Sequence, residues 1–443
     1  MEIFIVLTFI LGYVAITMEH TFKMDKLIPA LLMMALSWAA IAFGIEGVTR
    51  WFDPTTSQLI TDFSQLDKHH LLEDTLLHHF GKTAEILIFL MGAMAIVEMI
   101  DHFDGFSAIK KMIKTNSKIM LLWIISFLAF FLSSIIDNLT ATIVLITILR
   151  KIVPGNTDRM WFSGLIIIAA NAGGAWTPIG DVTTTMLWMA GKVTTAKLCL
   201  LLGIPSLINI LVPLIIASFM PIFKGTVDKI ENTEKSNKYA GLMLFLGLGL
   251  VIFVPIFKTV THLPPYIGMM LSLAIFAITA EIISNRQIKL TYGGDEEAPD
   301  GHGPTLKALS KIEMPSVLFF LGILMTVAAM ETLGIIFTFG QNVSASISEN
   351  TFVTLLGIGS AVIDNVPLVA ASIGMFTNTA DAPVWHFIAY CAGTGGSMLI
   401  IGSAAGVVAM GMEKISFGWY LKHITLLATL GYFAGIGAFL LLS

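Results

Sequence analysis

The chain has 443 residues, of which 56% are hydrophobic and only 12% are charged. A soluble domain carries roughly 25% charged residues on average, so the bilayer is the solvent that suits this composition. The net charge is −5, and the sequence has no basic stripe suited to nucleic acid. Two cysteines are too few for a disulfide framework. We therefore expect an all-α polytopic membrane protein embedded in a lipid bilayer.

Apolar segments follow one another along the whole chain. A hydrocarbon core about 30 Å thick needs about 20 apolar residues per helix. Segments of this kind cover residues 2–19, 28–46, 84–101, 119–153, 159–190, 198–223, 239–258, 264–284, 315–340, 350–380, 384–412 and 418–442. The first is expected to be a retained span, because no basic residues precede it and no cleavage site follows it. The polar connections expected to be loops are 47–82, 102–118, 224–238 and 285–313.

Four of these segments are too long or too interrupted to be single helices. Polar residues interrupt 119–153 and 350–380, at SSIIDNLT and SAVIDNVP, which predicts two re-entrant hairpins. Glycine-rich polar stretches interrupt 159–190 and 384–412, at NAGGAWTPIGDVTTT and GTGGSMLIIGSAAG. These stretches predict helices broken at mid-membrane. Broken backbone at that depth is tolerated only where it faces protein or a cavity.

The interrupted segments belong to a longer pattern that occurs twice. Matching residues recur in the same order: Pro29, Met33 and Met34 with Pro265, Met269 and Met270; Gly92 with Gly322; Ser133, Asp137 and Asn138 with Ser360, Asp364 and Asn365; Gly173, Gly174 and Gly180 with Gly395, Gly396 and Gly402. This order predicts a duplication, with a first repeat over 1–225 and a second over 236–443. If each repeat has five spans and one re-entrant hairpin, the second repeat is inverted in the membrane.

The basic residues indicate the orientation of such a fold. With the amino terminus outside, 19 of the 25 Lys and Arg residues fall in cytoplasmic connections. Cytoplasmic enrichment of basic residues is the usual determinant of membrane topology. We therefore expect a multi-pass protein of a bacterial inner membrane with both termini in the periplasm.

The four interruptions carry the residues expected to bind cations or protons: Asp137, Asn138, Asn171, Thr177, Asp181, Thr183, Thr184, Asp364, Asn365, Ser397 and Ser403. No Lys or Arg lies within any of the four. Buried carboxylates with amides and hydroxyls and no basic partner form an oxygen-rich site for a hard cation. Sodium is expected at Asp137, Asp181, Thr184 and Asp364. Since only an ionised aspartate binds sodium, we expect protons to compete for the same carboxylates.

Other interpretations of these residues stay open. The three aspartates also suit helix N-caps, the glycines suit close helix packing, and Ser397 and Ser403 suit hydrogen bonding to their own helix. Three glutamates are candidates for a proton relay: Glu85, Glu98 and Glu331. The histidines within 69–79 suit either a pH sensor or a solvated loop face.

At these motifs the sequence resembles the NhaD family of sodium/proton antiporters, within the superfamily of ion transporters that includes arsenite and dicarboxylate carriers. The resemblance rests on VEMIDHFDGF, SSIIDNLTATIVL, NAGGAWTPIGDVTTTMLW, SAVIDNVPLVAA and GTGGSMLIIGSAAGVVAMG. It implies exchange of cytoplasmic Na⁺ or Li⁺ for external H⁺, with no cofactor, and a homodimer. It also implies functional roles for Asp137, Asn138, Asn171, Asp181, Thr183, Thr184, Ser360, Asn365 and Ser397 or Ser403.

Two other classes of function are an anion carrier on the same fold and an intramembrane enzyme. A carrier of arsenite or another anion on the same fold is the alternative, because arsenite carriers share the Asp-Asn feature of the hairpins. Asp181 and the threonines that follow it favour a cation instead. An intramembrane enzyme is not expected, since the sequence has no HExxH metal motif and Ser403 has no evident histidine base. No catalytic residue is therefore assigned.

Overall fold

The computed structural model describes residues 1–53, 58–64, 67–227, 237–292 and 303–443, which are mostly helical. The first-half helices are α1 (Glu2–Thr17), α2 (Glu19–Phe22), α3 (Leu27–Gly44), α4 (Lys68–His102), α5 (Ser107–Met112), α6 (Lys118–Ser133), α7 (Asn138–Ile152), α8 (Asn156–Gly174), α9 (Val182–Met189) and α10 (Thr195–Phe219). The second-half helices are α11 (Ala240–Thr261), α12 (Pro265–Tyr292), α13 (Pro304–Ser310), α14 (Met314–Thr332), α15 (Ile335–Ser346), α16 (Glu349–Gly359), α17 (Asn365–Met375), α18 (Pro383–Gly395), α19 (Ala404–Glu413), α20 (Phe417–His423) and α21 (Thr425–Leu442).

Short elements complete the described chain. Single 3₁₀ turns cover Ile45–Gly47 and Pro221–Phe223. Strands β1 (Trp51–Asp53) and β2 (Gln58–Ile60) form a small antiparallel hairpin that connects α3 to α4.

The expected loops contain more helix than the hydropathy pattern suggested, so those boundaries are corrected here. The structure begins α4 at Lys68, where the carboxylate of Asp67 caps the helix by accepting a hydrogen bond from the backbone N–H of His69. Helices α5 and α13 lie within two other expected loops, and α12 continues to Tyr292. Most of the expected loop 224–238 lies outside the described residues. Hydropathy marks the part of a helix that lies in hydrocarbon, whereas a polar sequence continues the same helix into water.

The expected span over 315–340 is also divided. Helix α14 ends at Thr332, and α15 begins after Gly334. Gly334 has a φ of 67°, a left-handed conformation that glycine adopts without the strain of a side chain. One apolar segment therefore forms two helices with a turn between them.

The four interruptions predicted from the sequence are present. The first expected hairpin becomes α6 and α7, and the second becomes α16 and α17. The first broken segment becomes α8 and α9, and the second becomes α18 and α19. Four of these helices therefore start inside apolar segments, where their free N–H groups need partners that water does not supply.

The helices pack in two sets. One set, which we name the frame, consists of α1, α3, α4, α11, α12 and α14. The other set, which we name the site bundle, consists of α6 to α10 and α16 to α21. The sets touch where α4 meets α9 and where α14 meets α17. All four interrupted segments lie in the site bundle.

Close backbone contacts recur at matching positions of the two halves. The hydroxyl of Ser133 donates to the carbonyl of Ala170 at 2.6 Å, and that of Ser360 donates to the carbonyl of Ala392 at 2.8 Å. Both interruptions also need a glycine: a side chain at Gly173 would collide with a carbonyl of α6, and one at Gly395 would collide with a carbonyl of α16. Small residues thus allow each broken helix to approach its hairpin.

The surface of the molecule agrees with a membrane environment. In the described part of the chain, seven helices are long and apolar enough to span a bilayer. Large apolar side chains are widely exposed: Phe43 is 93% exposed, and Leu200 and Phe219 are each 77% exposed. A water-soluble surface does not expose apolar residues on this scale, so the chain is a multi-span membrane protein.

Candidate functional site

Asp181 is the centre of a buried hydrogen-bond network. It is 3% exposed and caps α9, with one carboxylate oxygen accepting from the backbone N–H of Thr183 at 3.3 Å. Its other oxygen accepts from the amide of Asn138 at 3.4 Å and from the amide of Asn365 at 3.0 Å. These asparagines are the first residues of α7 and α17. Both expected hairpins therefore contribute to the same carboxylate.

Asn171 extends this network between the two halves of the chain. Its amide oxygen accepts from Asn138 at 3.0 Å. Its amide nitrogen donates to the hydroxyls of Ser397 at 2.9 Å and Ser403 at 3.0 Å. We name the six residues together the central network: Asn138, Asn171, Asp181, Asn365, Ser397 and Ser403. All six are buried.

The ends of four helices determine the electrostatics of the central network. Helices α7, α9, α17 and α19 all begin there, because their first residues or caps belong to the network or adjoin it. A helix N-terminus carries a partial positive charge and stabilises an anion. These four ends stabilise a carboxylate at Asp181 without a basic side chain. Carboxylate, amide and hydroxyl oxygens are also the ligands that hard cations prefer.

Asp137 and Asp364 act as caps next to the network. Asp137 accepts from the backbone N–H of Thr140 at 2.8 Å and from its hydroxyl at 2.7 Å. Asp364 accepts from the backbone N–H of Val366 at 3.2 Å. Within the described ranges, the structure has no cluster of three His, Cys, Asp or Glu side chains that could hold a metal ion. The described oxygen site thus combines one carboxylate with amides and hydroxyls.

The remaining expected residues have different surroundings. The hydroxyl of Thr183 is buried and has no hydrogen-bond partner among the described residues. That of Thr184 donates to the carbonyl of Asp181 at 2.9 Å and approaches the carbonyl of Gly174 at 3.4 Å. That of Thr177 donates to the carbonyl of Ser134 at 2.6 Å. The hydroxyls of Thr177 and Thr184 thus each have a backbone carbonyl as partner, as does that of Ser360, which donates to the carbonyl of Ala392 on α18.

Lys26 is a neighbour that sequence reasoning missed. A small cavity of about 60 Å³, which we name the Asp181 cavity, is lined by Asp137, Asn138 and Asp181 and also by Lys26. The Lys26 ammonium lies 4.6 Å from the centre of the Phe319 ring. Lys26 lies just before α3, outside all four interruptions, so inspection of the interruptions alone could not find it.

Two larger cavities approach the site bundle from its two ends. The Glu98 cavity, of about 580 Å³, is lined by Glu98, Asp101, Lys110, Lys311, Glu313 and other residues. The Glu331 cavity, of about 330 Å³, is lined by His79, Lys82, Glu85, Lys192, Glu331 and other residues. Lys82 and Glu98 lie on α4 at positions separated by about 24 Å along the helix axis. The two cavities therefore lie at opposite ends of the frame, and the three candidate relay glutamates line their walls.

A further cavity reaches the central network from the same end as the Glu98 cavity, since both linings include Glu313. This Asp364 cavity has a volume of about 200 Å³, and its lining also includes Glu19, Asp25, Asp364 and Ser403. It shares with the Asp181 cavity the lining residues Lys26, Leu139, Ser316 and Ala404. An acidic lining attracts cations towards the network.

The histidines expected in a loop lie on α4. His69, His70, His78 and His79 all follow Lys68, the first residue of that helix. His70 lies 2.8 Å from a carboxylate oxygen of Asp74, one helical turn away. The histidines therefore lie along one helix, and the loop interpretation is wrong.

A buried ion-pair cluster was also not expected from the sequence. Glu413, at the end of α19, accepts from Arg150 at 2.6 Å and from Arg159 at 2.8 Å. Its side chain is 1% exposed. The cluster joins a helix of the second half to the two helices α7 and α8 of the first half. The only hint in the sequence was the basic character of residues 150–159.

Interrupted helices whose ends meet at a buried carboxylate, with cavities approaching from both ends, define a membrane transporter of small ions. Comparisons with known proteins agree with this class. Residues 13–292 match the citrate transporter family, CitMHS. The chain is 40% identical to sodium/proton antiporter 1 of Arabidopsis thaliana, over 99% of this chain and 72% of that protein. It is 30% identical to the Na(+)/H(+) antiporter NhaD of Alkalimonas amylolytica, over 98% of this chain and 89% of that protein.

A solved structure has a similar fold. The YdaH transporter of Alcanivorax borkumensis matches with a TM-score of 0.57 and 12% identity, over 94% of this chain and 97% of that chain. The bacterial and plant relatives and the family match place the protein among transporters rather than enzymes. The chain belongs to the NhaD family of sodium/proton antiporters within the ion transporter superfamily.

Proposed function

We propose that the protein exchanges cytoplasmic Na⁺, or Li⁺, for external H⁺ at the central network. The observation that carries the proposal is the surroundings of Asp181. This buried carboxylate is held by two amides and a backbone N–H, and no Lys or Arg donates to it in the described part of the chain. Its negative charge is therefore available to a cation or to a proton.

The exchange follows from what the site oxygens accept. Each asparagine that donates to Asp181 also carries an amide oxygen, and the neighbouring hydroxyls supply more oxygen ligands. Ionised Asp181 binds Na⁺ with these oxygens, whereas protonated Asp181 is neutral and releases it. In this proposal the sodium site is completed by Asp137, Thr184 and Asp364. Their side chains first give up the hydrogen bonds to backbone groups that they make in this structure. Glu85, Glu98 and Glu331 carry protons through the cavities that they line.

The same proposal includes an inverted repeat. The first repeat covers 1–225 and the second 236–443, each with five spans and one re-entrant hairpin. Ser133 makes the same kind of contact in the first half as Ser360 makes in the second, and Gly173 the same kind as Gly395. These matching contacts support a common fold for the halves. Asp181 and Ser403, which cap α9 and α19, have nearly equal backbone angles, with φ of −148° and −145°. Equivalent positions thus carry a carboxylate in one half and a hydroxyl in the other.

The repeat and the basic residues lead to a location. The 19 to 6 distribution of Lys and Arg supports a bacterial inner membrane protein with both termini in the periplasm. In this orientation, the Glu98 and Asp364 cavities open to the cytoplasm and the Glu331 cavity opens to the periplasm. We include a homodimer in the proposal on the basis of the superfamily.

The experiment that tests the exchange uses inverted membrane vesicles with a preformed proton gradient. Addition of Na⁺ or Li⁺ should dissipate the gradient in vesicles with the parent protein. Asp181→Asn should abolish this response, because asparagine retains the cap of α9 but not the charge. The matched control is Asp67→Asn, which alters a capping aspartate outside the apolar segments and should exchange normally. Normal exchange by Asp181→Asn would mean that the aspartate is only a cap.

The alternative on the same fold is a carrier of citrate, arsenite or another anion. The family description names citrate, which is a property of that family. An anion that entered the central network would be repelled by the buried carboxylate of Asp181, and none of the six network residues is a Lys or Arg that could offset this repulsion. Uptake of labelled citrate or arsenite without any sodium response would favour the anion carrier over the exchanger.

A further inference from the structure

Lys258 connects the frame to the site bundle. It belongs to the last turn of α11, and its ammonium donates to the backbone carbonyl of Trp188 at 2.9 Å. The same ammonium lies 4.3 Å from the centre of the Trp188 ring. Trp188 is in the last turn of α9, the short helix whose first end is capped by Asp181. A side chain of the frame therefore holds one end of the helix that carries the central carboxylate at its other end.

The contact is favourable for three physical reasons. The last carbonyls of a helix carry a partial negative charge, so a cation is stabilised there, and the carbonyl of Trp188 accepts from Lys258 in addition to the backbone N–H of Gly191 at 3.2 Å. A hydrogen bond from an ionised donor is stronger than a neutral one. An ammonium above a tryptophan ring gains a further cation–π attraction. Because α9 has only eight residues, about 12 Å in length, a contact that holds Trp188 at one end also constrains Asp181 at the other.

The cavities identify the conformation in which this contact is made. The Asp181 cavity shares four lining residues with the Asp364 cavity, so the two cavities adjoin each other at that end. Among the described residues, it shares no lining residue with the Glu331 cavity at the opposite end. There Phe89 packs edge-on against Trp188, with ring centres 6.4 Å apart. On the side where Lys258 holds α9, the linings of the Asp181 and Glu331 cavities are thus separate.

We propose that Lys258 is a positioning residue that holds α9 against the frame while the central network is open towards the Asp364 cavity. The contact with Trp188 breaks when the network opens towards the Glu331 cavity. Glu85, on α4, lines that cavity and interacts electrostatically with Lys258. It is the acceptor for the released ammonium. The assignment of the two conformations to two sides of an exchange cycle depends on the proposed function.

The test measures how fast a buried reporter becomes accessible. Met186 is on α9, is 3% exposed and lines the Glu331 cavity. A Met186→Cys reporter, in a Cys199→Ser background, is labelled in nanodiscs with a water-soluble maleimide. Lys258→Met should increase the labelling rate by about tenfold, the change expected from one charge-assisted hydrogen bond. With Lys258→Arg instead, the reporter should be labelled as slowly as with Lys258, because arginine retains the positive charge.

The controls separate this effect from general loosening of the protein. Lys238→Met alters an exposed lysine just before α11 and should leave the labelling rate unchanged. A Thr147→Cys reporter, exposed in the Glu98 cavity, should be labelled equally in every variant. Equal Met186→Cys labelling with and without Lys258→Met would overturn the proposal. If Lys258→Met does not accumulate, Lys258→Gln tests the loss of charge alone by the same comparison.

The labelling experiment does not depend on which ion is transported. Faster labelling in a protein that shows no sodium response would support the role of Lys258 and contradict the proposed function. Normal sodium exchange with unchanged labelling would support the proposed function and contradict the role of Lys258. In vesicles, Lys258→Met should also raise the half-saturating sodium concentration more than it changes the maximal rate, because the cation-binding conformation is less populated.

Discussion

At the scale of single residues, Asn171 shows why an uncharged amide suits the centre of this site. Its amide nitrogen donates to two serines of the second half, while its oxygen accepts from Asn138 of the first half. An amide supplies donors and an acceptor from one side chain without placing a charge in a buried position. Aspartate there would add a second buried carboxylate next to Asp181, and leucine would leave both serines without their donor.

Ser403 is the residue that the proposed repeat matches with Asp181. It caps α19 by accepting from the backbone N–H of Gly406 at 3.2 Å and also accepts from Asn171. Ser403→Ala should raise the half-saturating sodium concentration by about fivefold, since a neutral hydrogen bond contributes about 1 kcal/mol. The maximal exchange rate should fall less, because the carboxylate remains.

The matched control for this change is Ser416→Ala, which removes a serine cap from α20 at an exposed position. Its sodium dependence should match that of the parent protein in the same vesicle assay. A similar loss in both variants would show that helix capping, not contact with the central network, explains the effect of Ser403.

At the scale of elements, the site is built from helices too short to span the membrane. Helices α9 and α19 have eight and ten residues, and the residue that caps each of them belongs to the central network. Their N-termini lie at the site with those of α7 and α17, so four sets of free N–H groups receive partners from side-chain caps. Glycines at the interruptions allow backbone approaches that any side chain would block. The interruptions and the caps are favourable only together, because each cap accepts hydrogen bonds from the backbone N–H groups that an interruption leaves without partners.

Glu413 links α19 to α7 and α8, and its replacement is expected to weaken the site bundle. Glu413→Gln retains the size of the side chain but leaves Arg150 and Arg159 without an anionic partner. Because Glu413 is buried and the arginines are partly exposed, we expect a loss of about 2 kcal/mol in the free energy of unfolding. Thermal unfolding of the purified protein in detergent measures this as a lower melting temperature.

A surface ion pair provides the comparison. Glu2 pairs with Arg50 at 2.7 Å, with side chains that are 43% and 31% exposed. Glu2→Gln should change the melting temperature little, since exposed pairs contribute less than about 1 kcal/mol. Equal effects of the two substitutions would contradict the distinction between a buried and an exposed pair.

At the scale of the whole molecule, packing in two sets gives the protein the parts for alternating access. The frame and the site bundle touch at α4 with α9 and at α14 with α17. The central network lies wholly within the site bundle, whereas the three glutamates proposed as a proton relay belong to α4 and α14 of the frame. A displacement of one set relative to the other would move the network between the cavities without taking it apart.

The proposed sharing of one carboxylate by Na⁺ and H⁺ predicts how pH affects the exchange. If Na⁺ and H⁺ compete for Asp181, lowering the pH should raise the half-saturating sodium concentration, by up to about tenfold per pH unit for one competing proton. The maximal rate should change less, because enough sodium displaces the proton. Initial rates in vesicles, measured over a range of sodium concentrations at several pH values, test this relation.

The contrary result has a clear meaning. A half-saturating sodium concentration that stays constant over two pH units, while the maximal rate collapses, would place pH control at a separate group. The histidines of α4 would then be the first candidates, since His79 is buried beside Trp38 at the Glu331 cavity.

The sequence alone determined the environment of the protein and predicted the residues that form the central network. Apolar content required a membrane, and polar residues within apolar segments required interruptions, because no water is present there to pair with backbone groups. Every residue of the central network was among those expected from the sequence. Both properties are local: each depends on a residue and its near neighbours in the chain.

The tertiary structure alone decided which of these residues meet. It brought Asn171 to two serines of the second half and Asn365 to Asp181, while Thr184 and Ser360 bonded to backbone carbonyls. It also placed Lys26 near the site and Lys258 at the end of α9. A sequence pattern cannot supply these partners, because hydropathy and spacing describe position along the chain, whereas hydrogen bonds depend on distances between helices that only packing sets.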